Sequence, residues 1–198
     1  MKPLYRILFL IWLNILLVSC STAPITPERS AAWEQLQSRL RAIDQWQMNA
    51  SIAVRGDKGA WSARVFWQQQ KSLYQLRFHV AGGQGVVLLN GNDTGVKMRT
   101  ADRQEFVAAT SDSLLKNVLK VEIPVSFLFY WIRGIPSPKE RVVDYRLNEF
   151  NQLSYLEQVG WKIEFVDYSD NHGHQLPAKL LLENDEYKVK ILISQWKL

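Results

Sequence analysis

The chain has 198 residues, with 24 lysines and arginines against 19 aspartates and glutamates. This length suits one globular domain, and a small basic excess that is dispersed among acids gives no indication of nucleic-acid binding. Cys20 is the only cysteine, which excludes a disulfide within the chain.

The N-terminus has the pattern of a secretory signal that ends at a lipidation site. Lys2 and Arg6 precede an almost wholly apolar run over 7–18. About twelve helical residues are too short to cross a hydrocarbon core of about 30 Å, so the run is a signal segment rather than a membrane span. Cys20 follows the small residue Ser19 at the lipobox position of bacterial lipoproteins. We expect cleavage before Cys20, with an S-diacylglyceryl group on its thiol and an acyl chain on its freed amine; the alternative is an ordinary signal with a chance cysteine.

This pattern sets the expected domain organisation. Residues 1–19 are predicted to be the signal peptide, 20–27 a lipidated N-terminus and tether, and 28–198 a single domain. Removing Lys2 and Arg6 leaves 22 basic and 19 acidic residues in the mature chain, a net charge of +3. Because the chain can form no internal disulfide in its oxidising compartment, the stability of the domain must come from its apolar core.

The tether is followed by a predicted amphipathic helix. Thr26-Pro27 is typical of a helix start, with proline at the first helical position. Apolar residues then recur at spacings of three and four from Trp33 to Ile43, which places them on one face of a helix. This stripe needs a partner, so we expect the helix to lie on a sheet.

Alternation with period two predicts antiparallel strands on both sides of a helical segment. The first strands contain Met48–Val54 and Ala63–Trp67, with a hairpin turn over 57–59. The other predicted strands are 74–80, 85–90, 96–100, 104–107, 145–147, 153–158, 161–168, 179–183 and 187–195.

Two helices interrupt the strands. Ser111 is expected to cap the first, and Pro124 to open a second, strongly apolar helix that Gly134 ends. A helix that is apolar nearly all round is normally buried, and here it is also a candidate lid over an apolar ligand. The predicted fold class is mainly β (α+β): an incomplete antiparallel β-barrel whose helices close a hydrophobic cavity.

The sequence gives little support to catalysis. It contains no nucleophile elbow and no phosphate-binding loop. His172 and His174 lie in one short polar segment, which we interpret as a solvated loop rather than a metal site. We therefore expect no enzyme activity, no metal and no cofactor.

Several fragments, in their order behind the lipobox, resemble the LolB family of outer-membrane lipoprotein receptors. The resemblance extends over nearly the whole mature chain and implies a LolA/LolB-like fold. The fragments are Trp33, Phe66-Trp67-Gln68-Gln69, Trp131-Ile132-Arg133-Gly134-Ile135-Pro136, Gly160-Trp161-Lys162-Ile163, Leu176-Pro177 and Ile191-x-Ile193-x-x-Trp196.

This resemblance implies a function and its partners. A LolB-like protein receives triacylated lipoproteins from a LolA-like periplasmic carrier and inserts them into the inner leaflet of the outer membrane. Its own lipid, here on Cys20, holds it at that membrane with the domain facing the periplasm, and Ser21 is compatible with this location. We expect a monomer that binds no nucleic acid. The rival hypothesis is a structural envelope-assembly lipoprotein that binds protein partners rather than acyl chains.

The resemblance also suggests site residues. The family's insertion loop reads Pro-Leu-Gly, but its leucine falls on Gly82 here, so Val80 and Gly82 are the insertion-loop candidates. Either Val80 or Val86 takes the part of the leucine, or this protein inserts its cargo differently. Arg64 and Arg133 are candidates to meet an acidic carrier rim. Seven residues are candidates to line the acyl-chain cavity, each with plain core packing as its alternative: Trp67, Trp131, Trp161, Leu128, Ile163, Ile191 and Ile193.

Overall fold

The structure, a computed structural model, describes residues 25–57, 59–80, 85–119 and 122–198. Its main feature is one sheet of eleven antiparallel strands in the order β6-β5-β4-β3-β2-β1-β11-β10-β9-β8-β7. The sheet does not close, because β6 and β7 stay at its two edges. This confirms the predicted incomplete antiparallel barrel. None of the described helices is long and apolar enough to cross a membrane.

The elements agree with the predicted order, and most strands are longer than the alternation indicated. The helices are α1 (Pro27–Ala42), α2 (Ser111–Leu114), which continues into a π-helical turn (Leu115–Leu119), and α3 (Val125–Trp131). The strands are β1 (Gln45–Gly56), β2 (Gly59–Gln70), β3 (Leu73–Val80), β4 (Val86–Asn92), β5 (Gly95–Arg99), β6 (Glu105–Ala108), β7 (Val142–Leu147), β8 (Leu153–Gln158), β9 (Trp161–Asn171), β10 (His174–Glu183) and β11 (Tyr187–Lys197).

Helix α1 follows the expectation from sequence. Proline lies in its first turn, and the Thr26 hydroxyl accepts a hydrogen bond from the Arg29 backbone N–H at 3.4 Å. Trp33 and Leu40 are its buried residues, and Trp33 stacks on Tyr145 of β7 with ring centroids 6.4 Å apart. The apolar stripe thus covers the β7 side of the sheet.

One local prediction was wrong. The N-cap of α2 is Thr110, not Ser111, because its hydroxyl accepts from the Ser113 backbone N–H at 3.1 Å. The polar segment around His172 is a short exposed turn, as expected, and the flanking strands are longer than predicted, since β9 runs to Asn171 and β10 begins at His174. Asp170 closes this turn by accepting from the Gly173 N–H at 2.9 Å.

Gln158 fixes the end of α3 to the core. This side chain has no solvent-exposed surface, yet both ends of its amide are bonded. Its oxygen accepts from Trp131 Nε1 at 2.9 Å and from the Ser137 N–H at 3.1 Å. Its nitrogen donates to the carbonyls of Ser137 and Glu140 at 2.8 and 2.6 Å. A buried amide with this set of partners stabilises one position of the helix.

Arg133 joins the ends of α1 and α3. Its guanidinium donates to the carbonyls of Leu40, Ile43 and Phe129 at 3.1, 2.8 and 3.1 Å, and lies 4.3 Å above the Phe129 ring. Burial lowers the pKa of Arg133 to about 10, so the group still carries its charge at neutral pH. Gly134 follows with φ +76°, where a Cβ would lie 3.3 Å from both Pro177 and Tyr168.

Trp46 differs from Trp131 in its polar contacts. It is buried among Trp67, Trp196 and Phe129, with ring centroids 5.3, 5.4 and 6.0 Å away. Among the buried side-chain nitrogens and oxygens of the described residues, only its Nε1 has no hydrogen-bond partner.

This contrast predicts different costs for the same substitution at two positions. Trp46→Phe and Trp131→Phe remove the same atoms, but only the second breaks a hydrogen bond, to Gln158. We expect Trp131→Phe to lose about 1–2 kcal/mol more of the free energy of unfolding than Trp46→Phe. Urea unfolding monitored at constant m-value measures the difference. Equal losses would show that the Gln158 contact contributes nothing to stability.

Candidate functional site

An apolar cavity of about 580 Å³ lies between the inner face of the sheet and helix α3. If a methylene takes roughly the 30 Å³ that water occupies in the liquid, this volume holds about 20 methylenes, close to one long acyl chain. The lining residues are Met48, Ile52, Trp61, Val65, Trp67, Leu76, Phe78, Val80, Val87, Thr100, Ala101, Asp102, Leu115, Ile123, Val125, Leu128, Ile132, Val189 and Ile191.

Strands β1 to β4 and β11 form the sheet wall of the cavity. Strand alternation turns every second side chain inward, so Trp61, Val65 and Trp67 of β2 all face it. Exposure rises along this row, from 3% at Trp67 to 36% at Trp61. The cavity therefore deepens towards Trp67 and opens near Trp61.

Helix α3 and the π-helical turn form the opposite wall. Val125, Leu128 and Ile132 contribute side chains from α3 and the residue that follows it. At its N-terminal end the helix is held to α2, because the Asp112 carboxylate accepts from the Ser126 N–H at 3.1 Å and from the Ser126 hydroxyl. At its C-terminal end it is held by the contacts of Gln158 and Arg133 described above.

The mouth of the cavity carries its few polar groups. Thr100, Ala101 and Asp102 line it at the turn between β5 and β6. The Thr100 hydroxyl donates to the Asp102 carboxylate, and this hydrogen bond holds the pKa of Asp102 below its ordinary value. Among the described lining residues, Asp102 alone has a titratable side chain, and it places a negative charge at the opening of a largely apolar space.

The connection between β3 and β4 leaves and returns at this mouth. Val80, at the end of β3, lines the cavity and is half-buried. Gly85 returns against the β5–β6 turn with φ +86°, where a Cβ would clash with the Cβ of Ala101. Gly82 lies outside the described residues, as do Cys20 and the predicted signal peptide. An insertion role for Val80 and Gly82 stays a prediction.

Three of the seven predicted cavity residues line this cavity. They are Trp67, Leu128 and Ile191. Their neighbours on the same strands, Trp61 and Val189, line it as well and were not among the candidates. The parity of β2 contains the missing signal for Trp61, because this residue lies on the same face as Val65.

The other four candidates lie in the packed core away from the lining. Trp131 is fully buried with its N–H on Gln158, and Trp161 pairs across the strands with Gln158 at the β8–β9 turn. Ile163 lies between Leu156 and Leu182 on the neighbouring strands.

Ile193 is the fourth of these residues. It is buried opposite Ala50, one inward step beyond Ile191 and outside the lining.

The two arginines considered for carrier contact have different environments. Arg133 is only 2% exposed and bonded to backbone carbonyls, so it is a structural residue and cannot meet a partner's rim. Arg64 is exposed on the outer face of β2. Among the described residues, no group of three or more histidines, cysteines, aspartates and glutamates is arranged to hold a metal ion.

Solved structures share the fold at low sequence identity. A putative outer membrane lipoprotein-sorting protein domain from Vibrio parahaemolyticus aligns with a TM-score of 0.55 and 8% identity, over 85% of this chain and 92% of that one. A LolA superfamily protein from Nitrosomonas europaea aligns with a TM-score of 0.53 and 10% identity, over 86% and 93%. These likenesses concern the fold alone.

Sequence relatives identify the family. Proteins named "Outer-membrane lipoprotein LolB" from Ectopseudomonas mendocina and Pseudomonas fluorescens are each 32% identical, over 167 and 168 residues. The matches cover 84% of this chain in both cases, and 81% and 80% of the relatives. The family model described as "Outer membrane lipoprotein LolB" matches residues 44–196. The chain therefore belongs to the LolB family of outer-membrane lipoproteins.

Proposed function

We propose that this protein is an outer-membrane lipoprotein receptor. It accepts acylated lipoproteins from a LolA-like periplasmic carrier and inserts them into the inner leaflet of the outer membrane, to which it is tethered through lipid on Cys20. It acts as a monomer and without catalysis. Two observations support this proposal: the chain belongs to the LolB family, and an apolar cavity lies under helix α3.

The chemistry of the cavity carries the proposal. Nearly all of the described lining is aliphatic or aromatic, and the one charged side chain among these residues, Asp102, lies at the mouth. Such a lining provides few hydrogen-bonding groups for a polar ligand, whereas it can contact a hydrocarbon chain along its whole depth. A volume close to that of one acyl chain supports a lipid ligand over a flat protein partner.

The energetics explain why a receptor is needed. Moving a chain from water to an apolar site gains about 0.8 kcal/mol per methylene, so three long chains gain on the order of 30 kcal/mol. A triacylated protein therefore cannot leave an apolar shelter for water at a useful rate. Transfer without nucleotide proceeds if the carrier, this cavity and the bilayer bind the chains with increasing affinity.

The direct test uses a soluble form of the chain. All described helices and strands lie between Pro27 and Lys197, so the chain from residue 20 with Cys20→Ala retains the whole described fold. We expect this form to take an acylated lipoprotein from a LolA-like carrier in solution, measured by co-purification, and not to take the same protein without acyl chains. Binding of the deacylated protein alone would support the structural lipoprotein hypothesis instead.

A second prediction concerns the space inside the cavity. Val65→Trp places an indole where the acyl chain is proposed to lie, because Val65 is on the β2 row of the lining. Excluding only two methylenes costs about 1.6 kcal/mol, so we expect capture of an acylated lipoprotein to fall more than tenfold.

The matched control is Val143→Trp, on the exposed surface of β7 and far from the lining. It should leave capture unchanged, and urea unfolding checks that both variants fold. Equal capture by Val65→Trp and the original chain would place the acyl chain elsewhere.

A further inference from the structure

The outer face of the first five strands has an unusual charge distribution. Strands β1 to β5 contain no aspartate and no glutamate. They contain exposed arginines at Arg55, Arg64, Arg77 and Arg99, whose side chains point away from the cavity. A basic excess that is small over the whole chain is therefore concentrated on one surface.

The strand register brings three of these arginines together. Arg64 is opposite His79, and Arg77 is opposite Phe66 on one side and Leu88 on the other. Leu88 is in turn opposite Arg99. Arg64 and Arg77 are diagonal neighbours, at roughly 7–8 Å, and Arg99 is two strands from Arg77, at roughly 10 Å. We call Arg64, Arg77 and Arg99 the outer arginine strip.

None of these three guanidiniums is in an ion pair among the described residues, although Arg99 is opposite Glu105 of β6, whose carboxylate lies 2.7 Å from Lys97. Arg77 donates to the side-chain oxygen of Gln75 at 3.1 and 2.9 Å and lies 5.7 Å from the Phe66 ring centre, both neutral groups. The residues outside the described ranges include no aspartate or glutamate that could neutralise the strip. The ion pairs of the described residues are Lys97–Glu105, Lys116–Glu122, Arg146–Asp144 and Lys188–Glu183.

The strip begins beside the mouth of the cavity. His79 and Val86 form the last paired residues of β3 and β4 before their connection, and both face outward. Val80 and Val87, their immediate neighbours, line the cavity. Arg64 is in the same row as His79, and Arg77 and Arg99 lie one row further, about 7 Å along the strands. This distance is within the Debye length of about 8 Å at physiological salt.

We propose that the outer arginine strip binds the phosphate headgroups of an anionic lipid surface and holds the cavity mouth against that surface. Exposed Val86 and the half-buried Phe66 and Leu88 lie between the cations and give the strip the mixed basic and apolar character that suits a headgroup layer. The proposal rests on the proposed function, because it supplies the orientation that release into a bilayer requires.

The geometry favours a membrane over an acidic carrier as the occupant. A carrier that hands over an acyl chain must face the mouth, on the inner side of the sheet. A bilayer across this end of the sheet meets the rim of both faces, which the long side chains of the strip can reach from the outer face. The three cations of the strip then outnumber the one carboxylate among the described residues of the mouth, Asp102.

The test is partition of the soluble Cys20→Ala chain onto vesicles, without cargo or carrier. We expect binding to vesicles that contain phosphatidylglycerol, weak binding to phosphatidylcholine alone, and loss of binding at high salt. A cation near an anionic surface strengthens binding by about fivefold, so Arg64→Gln/Arg77→Gln/Arg99→Gln should bind about 100-fold more weakly.

A matched variant removes the same charge from elsewhere. Arg39→Gln/Lys139→Gln/Lys162→Gln changes exposed cations on three other parts of the chain and should keep vesicle binding within a few-fold of the original. Equal binding by both triple variants would overturn the proposal, as would a strip variant that keeps vesicle binding and loses only carrier binding.

Capture of an acylated lipoprotein in solution tests the receptor function independently of the outer arginine strip. The strip variant should capture it as well as the original chain does, which also shows that the variant folds. If the original chain does not capture the acylated lipoprotein, the receptor function is contradicted. The proposal for the outer arginine strip is tested only by the comparison of vesicle binding.

Discussion

The placement of helix α3 is the constraint on which the rest of the structure depends. Gln158 and Arg133 bind its C-terminal end to the β8 side of the sheet and to the end of α1. Seven residues are too few to cover the inner face of an open eleven-stranded sheet. The C-terminal end of α3 therefore lies against β8 at Gln158, and the inner face of β1 to β4 borders the apolar cavity. One set of buried polar contacts thus fixes where the apolar space lies.

The same constraint bears on how a cargo with three chains is handled. The cavity has the volume of about one acyl chain. A second or third chain needs more space, and the N-terminal end of α3 is held to α2 by the partly buried contact of Asp112 with Ser126. The π-helical turn next to it is an irregularity of the kind often found at functional sites. The C-terminal end of α3 is thus bound to the buried core, and its N-terminal end to a partly buried contact beside the π-helical turn.

The strands and the family could be predicted from the sequence more accurately than the residues of the site. Alternation located β1, β2 and β11, and thereby the inward direction of Trp67 and Ile191. Alternation along a strand predicts which face of the sheet a side chain lies on. It does not predict whether a helix packs over that side chain. Ile163 and Ile191 have the same pattern, yet only Ile191 borders the cavity, whereas Ile163 is fully buried between Leu156 and Leu182. Arg133 likewise reads as a surface cation until its contacts with the ends of two helices are known.

The measurement that tests the central claim most directly is cross-linking from two adjacent residues of β11. Ile191 lines the cavity and Leu192 faces outward, so a photo-reactive side chain at each position samples opposite faces of one strand. With an acylated lipoprotein bound, position 191 should cross-link to an acyl chain, identified by mass spectrometry, and position 192 should not. Capture from 192 alone, or equal capture from both, would contradict an acyl-binding cavity on the inner face of the sheet.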